Sequence, residues 1–409
     1  MKNKLLKILA KLFLVFLTLA ILCVVSEFFF RLSKGKEFYL KNTTGSKKLR
    51  SPYLLEPNTI RRFKSSKKGE FDVTMTTNAF GFRGKEMALE KEKDTLRIFA
   101  VGDSFTLGVG AQDNETVPYH IEEKLTHKGY PIEVINAGRG NTTTLIHYLN
   151  LRDNYLKFKP DLVLLLFDFS DLEDDWYKER RLVYDEKGRP LYIDPTIIDG
   201  KRNWRVVLTS KSEFFQWINK KILRTFDKIR IIGFRNYIKA KMEGKRAKAV
   251  ISNLEKEKAS IDTIEYDHYL LIRGRDKLPQ IKKHWQRTEK YLLMIRDLLK
   301  ENDIPLILAI YPYGIHVGPD QWAEGRVYWG FEPGKTYDDY YAFDLIQNFA
   351  KKNNIAFINT LDDFLEEKDK PLFFDLDGHL NPQGNEILAN SIIANKVFKD
   401  NLDNLLPKQ

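Results

Sequence analysis

Cysteine is almost absent: Cys23 is the only one in 409 residues. No disulfide can close within the chain, and cysteine usage says nothing about the redox compartment. Histidine is scarce too, at seven, so the setting of each one carries information. There is no internal repeat and no low-complexity tract, which removes solenoid and fibrous architectures. Small residues are missing where a leader peptidase would cut. The apolar run Leu5 to Val25 leads straight into Ser26-Glu-Phe-Phe-Phe-Arg31, so an uncleaved anchor is expected rather than a removed signal peptide. Leu22 is too large for the residue that precedes a lipoprotein cysteine, and lipidation of Cys23 is not expected.

What is present points to a membrane. Leu5 to Val25 has spanning length and is interrupted only by Lys7 and Lys11, near its start. Lys2, Lys4 and Lys7 crowd one end, while Arg31, Lys34 and Lys36 follow the other. Early charges usually dominate orientation, so a cytoplasmic N-terminus and an extracytoplasmic bulk are expected. The remaining chain, 43% hydrophobic, can bury a substantial core. The formal charge of +11 favours anionic surfaces such as phospholipid headgroups or acidic glycans. Nucleic acid is the other usual partner of such a charge, and the membrane segment argues against it.

Three parts are expected: an anchor over 1–30, a stem and β-hairpin lead-in over 31–94, and a catalytic-type domain over 95–400 with an insertion at about 176–283. In the lead-in, Phe71 to Thr76 reads as a strand and Asn78 to Gly84 as a glycine-bearing turn packing on the core. From Thr95 onward strands alternate with helices: strands at Leu96 to Val101, Ile132 to Asn136, Asp161 to Phe167, Ile304 to Ile310 and Ile355 to Ile358. Helices are expected around Val117 to Leu125, Thr143 to Leu156, His284 to Leu299 and Tyr337 to Lys351, and from Pro382 through Ala394 with Asn381 as N-cap. That alternation means an α/β fold, a parallel sheet in three layers with helices on both faces. The insertion holds a hairpin, Leu182 to Tyr192, and a basic aromatic helix, Ser212 to Met242. That helix reads either as an interfacial helix or as a cap on the main domain.

Leu96 to Val101 stops at Gly102-Asp103-Ser104. Open α/β sheets bind ligands at the carboxyl ends of their strands, and a serine there is a candidate nucleophile if a base reaches it. Far downstream, Phe374-Asp375-Leu376-Asp377-Gly378-His379 sets a histidine beside acids in a loop before a helix. A carboxylate on one ring nitrogen fixes the tautomer while the other nitrogen takes the serine proton. His120, His127 and His284 fall in helical patterns. His147, His268 and His316 lack an acidic–glycine context, although His316 lies in a loop expected to border the site.

With these blocks in view, the sequence resembles the SGNH/GDSL hydrolase family. The resemblance covers Leu96 to Ile393 apart from the insertion. It implies Ser104 as nucleophile, His379 as base and Asp377 as its orienting acid. Asn136-Ala-Gly138 looks like the second block, with Gly138 lending an oxyanion N–H beside that of Ser104. The Asp-x-His spacing looks like that of membrane-associated members of exopolysaccharide O-acetylation. The third block departs from the pattern: Phe167-Asp-Phe-Ser-Asp171 has Ser170 where an oxyanion asparagine is expected. Ser170 or Asn141 then has to donate, or activity is lower. Asn141, Asp171, Tyr313 and Trp322 are the expected substrate-binding residues, and the aromatic loop Tyr311 to Phe331 reads either as a sugar-stacking rim or as a packed lid. The acids Asp168, Asp171, Glu173, Asp174 and Asp175 lack a matching histidine or calcium-loop spacing, so no metal is expected, and the chemistry needs no organic cofactor. Esterase, O-acyltransferase and a non-catalytic glycan-binding or partner subunit of envelope biosynthesis all remain open. The expected substrate is an ester-bearing small molecule or glycan, such as an O-acetylated envelope carbohydrate.

Overall fold

The computed structural model describes residues 2–34, 54–65, 67, 69–204, 207–208, 212–218 and 267–406, with first-helix side chains at 10–11, 13–18 and 20–29. The chain divides into two compact units. One comprises residues 1–49, 180–183 and 192–265, the other 50–179, 184–191 and 266–409.

The larger unit is built on a five-stranded sheet. Its strands are β3 (Leu96–Gly102), β4 (Ile132–Gly138), β5 (Leu162–Phe167), β6 (Leu306–Ile310) and β7 (Ala356–Asn359). They follow β1 (Ile60–Lys64) and β2 (Asp72–Thr76), an antiparallel pair outside the sheet. The order is β7-β6-β5-β3-β4 and every neighbouring pair is parallel. All positions of β3 and β5 are buried, as strands covered on both faces must be, which explains their unbroken apolar runs. Arg97 is the exception in β3. Its guanidinium is neutralised by Glu133 and donates to the carbonyls of Ala88, Leu89 and Phe158.

Between the strands run α1 (Ser104–Leu107), α2 (Val117–His127), α3 (Thr144–Asn150), α4 (Asp171–Glu179), α5 (Leu278–Lys300) and α6 (Tyr341–Lys352), and α7 (Pro382–Ala394) follows β7. They pack in two groups, α2 with α7, and α3 and α4 with α5. Right-handed crossovers require this division when strand order reverses at β3. The reversal opens a crevice at the carboxyl ends of β3 and β5, and Ser104 and Ser170 follow those two strands. The helix expected over 143–156 narrows. Regular turns stop at Asn150, a wider turn covers Leu151–Tyr155, and Lys159 closes the segment with φ of 50°. At the other end, Asn381 accepts the Gly384 N–H at 2.9 Å with Pro382 following, as its sequence suggests.

The Asn78 to Gly84 turn does more than pack. Asn78 Oδ1 accepts the N–H groups of Phe80 and Phe82, and the Phe82 ring meets Phe99 and Phe158 edge-on. Arg83 then pins the loop behind Ser104. It donates to the carbonyls of Leu107, Gly108 and Ala111 and pairs with Asp113 at 2.8 Å.

In the smaller unit a single helix runs from Lys2 to Lys34. Phe13, Leu14, Phe16, Val24, Phe28 and Phe29 on it are each at least 60% exposed. Among the described residues no helix is long and apolar enough to cross a membrane. Glu27 accepts from the Ser212 hydroxyl at 2.6 Å and the Phe214 N–H at 3.0 Å, at the start of the helix Glu213–Ile218. The remainder of the basic helix expected over 212–242, and the first part of the stem, lie outside the described residues. Leu182–Tyr184 and Pro190–Ile193 are strands, with Asp185 to Arg189 forming the turn between them.

Candidate active site

At the end of β3 the backbone turns sharply into α1. A Cβ on Gly102 would collide with the Thr106 side chain and crowd the Leu166 carbonyl, so the turn requires glycine. Asp103 caps α1, accepting the Phe105 N–H at 2.9 Å. Ser104 stands on the first helical residue, and its Oγ lies 2.7 Å from His379 Nε2. His379 Nδ1 is hydrogen-bonded to Asp377 Oδ1. A carboxylate can only accept, so the Nδ1 proton is fixed and Nε2 faces Ser104 as acceptor. The loop holding His379 is tied by its own backbone. Phe374 N–H donates to the His379 carbonyl, Gly378 N–H donates to the Phe374 carbonyl, and Phe373 bridges Leu380. Gly378 adopts φ of 89° and lies so close to the Trp322 indole that a Cβ would overlap it.

Burial alone would lower the His379 pKa. The hydrogen bond and charge of Asp377, helped by Asp103 and Asp168, outweigh it, and the pKa lies above the ordinary 6.5. For Asp377 burial works in the opposite sense and the bond to His379 wins, leaving its pKa below the ordinary carboxylate value. Asp103 is pushed up to about 7 by burial and by the neighbouring Asp168 charge. Asp168, 1% exposed, is held by three donors: the Tyr311 hydroxyl at 2.8 Å, the Tyr313 hydroxyl at 2.6 Å and the Ser170 N–H at 2.7 Å. Nothing in the spacing of Tyr311 and Tyr313 marks them as the clamp of an acid more than a hundred residues away.

The oxyanion side differs from expectation at one position. Gly138 is buried, its N–H donates to Asn136 Oδ1 at 3.1 Å, and a Cβ there would strike the α1 backbone. It permits close packing of β4 on α1 and does not face the cavity. Two residues on, a Cβ at Gly140 would stand 3.8 Å from Ser104 Cβ, which makes Gly140 the glycine beside the serine. Ser170 and Asn141 both line the cavity with Ser104, and Asn141 Oδ1 accepts from Lys178 Nζ at 3.3 Å.

Two of the expected substrate contacts, Asp171 and Trp322, are placed elsewhere. Asp171 is buried, away from the cavity lining, and neither carboxyl oxygen has a hydrogen-bond partner among the described residues. Burial, then the charges of Asp175, Asp168, Asp103 and Asp174, drive its pKa well above the ordinary value. Trp322, 1% exposed, is a wall behind Gly378 and not a rim residue. Tyr313 does line the cavity, but its hydroxyl is committed to Asp168. His316 is buried, accepts the Tyr313 N–H at 3.1 Å and is pushed down to about 3 by burial. Among the described residues no group of three or more His, Cys, Asp or Glu is arranged to hold a metal ion.

The cavity itself measures about 350 Å³. Besides the residues above it is lined by Trp329, from the aromatic loop expected to be a sugar-stacking rim or a packed lid, by Asp174, from the acid cluster, and by His268 and Tyr269, which were not expected at the site. His268 and Tyr269 arrive at the end of the long insertion, where no local pattern announces them. The arrangement can deprotonate a serine hydroxyl inside a partly enclosed, acid-lined pocket and present N–H and O–H donors near it.

No protein-family model matches the sequence, and no curated protein matches it. Solved structures similar to it include an acetyl xylan esterase at 16% identity, covering 73% of this chain and 98% of that one with a TM-score of 0.35. A catalytic mutant of an acetylxylan esterase from Geobacillus stearothermophilus matches at 14% identity, 73% and 92% coverage and a TM-score of 0.35. An extracellular lipase from Streptomyces rimosus matches at 12% identity, 72% and 99% coverage and a TM-score of 0.34. At these scores the likeness is loose, and what the site can do is read from its own atoms.

Proposed function

We propose that this protein is a serine hydrolase of SGNH type that cleaves a short-chain ester through an acyl-enzyme. The observation that carries the reading is the 2.7 Å contact between Ser104 Oγ and His379 Nε2, with the other ring nitrogen bonded to Asp377. Ser104 Oγ attacks the acyl carbonyl while His379 Nε2 takes its proton. The resulting imidazolium is stabilised by Asp377 and returns the proton to the departing alcohol oxygen. Water, deprotonated in turn by His379, attacks the acyl-enzyme, releasing the acid and restoring Ser104. The negative oxygen of each tetrahedral intermediate is held by the N–H groups of Ser104 and Gly140 and by the Ser170 hydroxyl, with the Asn141 amide at the cavity edge. Preorganised donors of this kind contribute roughly a hundred- to a thousandfold each. Every step runs on groups of the chain itself.

The substrate we propose is an O-acyl, above all O-acetyl, ester of an envelope carbohydrate. Supporting this are the apolar run Leu5 to Val25 with lysines at its start and the exposed apolar side chains of the first helix. Together they favour an anchored protein whose catalytic unit lies outside the cytoplasm. The decisive experiment offers full-length protein p-nitrophenyl acetate and a fluorophosphonate label, beside Ser104→Ala. Turnover and labelling that both vanish in the variant are the expected result. A folded wild type that neither turns over nor takes the label would sink the hydrolase reading. Acetyl transfer to an added sugar in preference to water would reassign it as a transferase.

A further inference from the structure

A second histidine–aspartate pair lines the same cavity, and the serine chemistry does not use it. His268 Nδ1 lies 3.6 Å from Asp174 Oδ2. Its ring is 5.7 Å from that of Trp329, and the Tyr269 ring is 5.0 Å from Trp329. Trp329 is 37% exposed, unlike the buried aromatics Tyr313 and Trp322 deeper in the wall. Asn141, exposed on the same lining, brings a side-chain amide. The inner side is closed: the Phe105 ring packs 4.7 Å from His379 and 5.4 Å from Tyr313. With the acyl group against Ser104, the remaining space is walled by imidazole, carboxylate, amide and indole.

The charge of this space narrows what can enter it. Among the described residues its lining includes three carboxyl groups, Asp103, Asp174 and Asp377, and neither lysine nor arginine, the nearest lysine being Lys178, which donates to Asn141 Oδ1 at 3.3 Å. Asp168 stands buried behind, and the charges of Asp103 and Asp168 pull the pKa values of both His268 and His379 upward against burial. An anionic group placed beside Asp174 and Asp377 is repelled by them. A neutral ring bearing hydroxyls meets acceptors and donors suited to it, and its C–H face can rest on an indole.

We propose that His268, Asp174, Asn141 and Trp329 form the subsite for the alcohol portion of the ester, and that this portion is an uncharged sugar ring. The assignment rests on Ser104 acting as proposed above, and binding tests it separately from turnover. Full-length protein carrying Ser104→Ala is titrated, by calorimetry and tryptophan fluorescence, with a methyl glucopyranoside monoacetate and with the matching glucuronoside monoacetate. The neutral glycoside should bind about tenfold more tightly than the charged one. Adding His268→Gln or Trp329→Leu should each weaken it about tenfold, the scale of one or two hydrogen bonds or one ring contact, and Trp329→Phe should recover part of the loss. Equal binding of the two glycosides, undetectable binding of the neutral one, or both variants binding as the parent does would overturn the subsite. If His268→Gln fails to fold by circular dichroism, Trp329→Leu decides. Failure of wild-type turnover with intact binding would instead count against the hydrolase reading alone.

Discussion

Two histidine–aspartate pairs share one cavity, and they are built differently. His379 and Asp377 are two residues apart in a loop fixed by its own backbone bonds and by Trp322 behind Gly378. His268 and Asp174 come from distant stretches of chain and stand 3.6 Å apart without a short bond. Both imidazoles have raised pKa values, so basicity does not separate them. Position does. Only His379 has a ring nitrogen hydrogen-bonded to the serine oxygen, and only its orientation is set by a local tie that survives movement elsewhere. A general base needs such a tie, because proton transfer demands hydrogen-bond geometry first and a suitable pKa second.

The sharpest way to break the comparison is to remove the groups on one side of it. Ser104→Ala or His379→Gln should lower kcat for p-nitrophenyl acetate by about 10⁴-fold or more, since a triad acts as a unit. With His268→Gln the loss should stay within about twofold, because this substrate carries no sugar for His268 to hold. If the two histidine variants lose activity equally, the distinction between the pairs is wrong.

Asp377→Asn tests the tie itself. It should cost about 10³- to 10⁴-fold, because an amide can stabilise the wrong tautomer. It should also move the acid limb of the kcat/KM profile. The base works only when neutral, so activity rises with pH through the His379 pKa. Asp377 raises that pKa above 6.5, so its removal should shift the limb to lower pH. A limb that stays in place would mean another group controls it, Asp103 being the nearest candidate.

These two pairs also mark what was legible in the sequence. Gly102-Asp103-Ser104 and Asp377-Gly378-His379 were readable because each is a local device, a strand-ending turn and a tied loop. The sheet was readable for the same reason, in runs of apolar residues between helical patterns. Gly138 was taken in place of Gly140 because two glycines at the end of one strand look alike until packing shows which one β4 needs against α1. Trp322 and Asp171 were misplaced because residue type does not reveal whether a loop or the first turn of a helix carries a side chain inward. His268 was invisible, since its partner Asp174 is almost a hundred residues away and the fold alone brings them together.

A smaller effect separates the oxyanion donors. Ser170→Ala should reduce kcat about a hundredfold while leaving fluorophosphonate labelling of Ser104 detectable. A loss within a factor of about two would leave the N–H groups of Ser104 and Gly140 as the working donors.

The smallest effect concerns the acid behind the cavity. Asp168 has three donors, whereas Asp171, equally buried, has none among the described residues. Burial and the neighbouring acids hold the Asp171 pKa well above the ordinary 3.8, which favours its neutral, protonated form. The unfolded chain gives that proton up near pH 4. A raised pKa stabilises the fold fully below the unfolded value, and the contribution is lost as pH rises towards the folded one. Asp171→Asn removes this dependence. Thermal melting of variant and wild type should therefore differ little at about pH 4 and increasingly favour the variant as the pH is raised above it. The acid limb of kcat/KM should not move. Parallel melting curves across that range, or a displaced limb, would place a charge on Asp171 and make it part of the field that the two histidines feel.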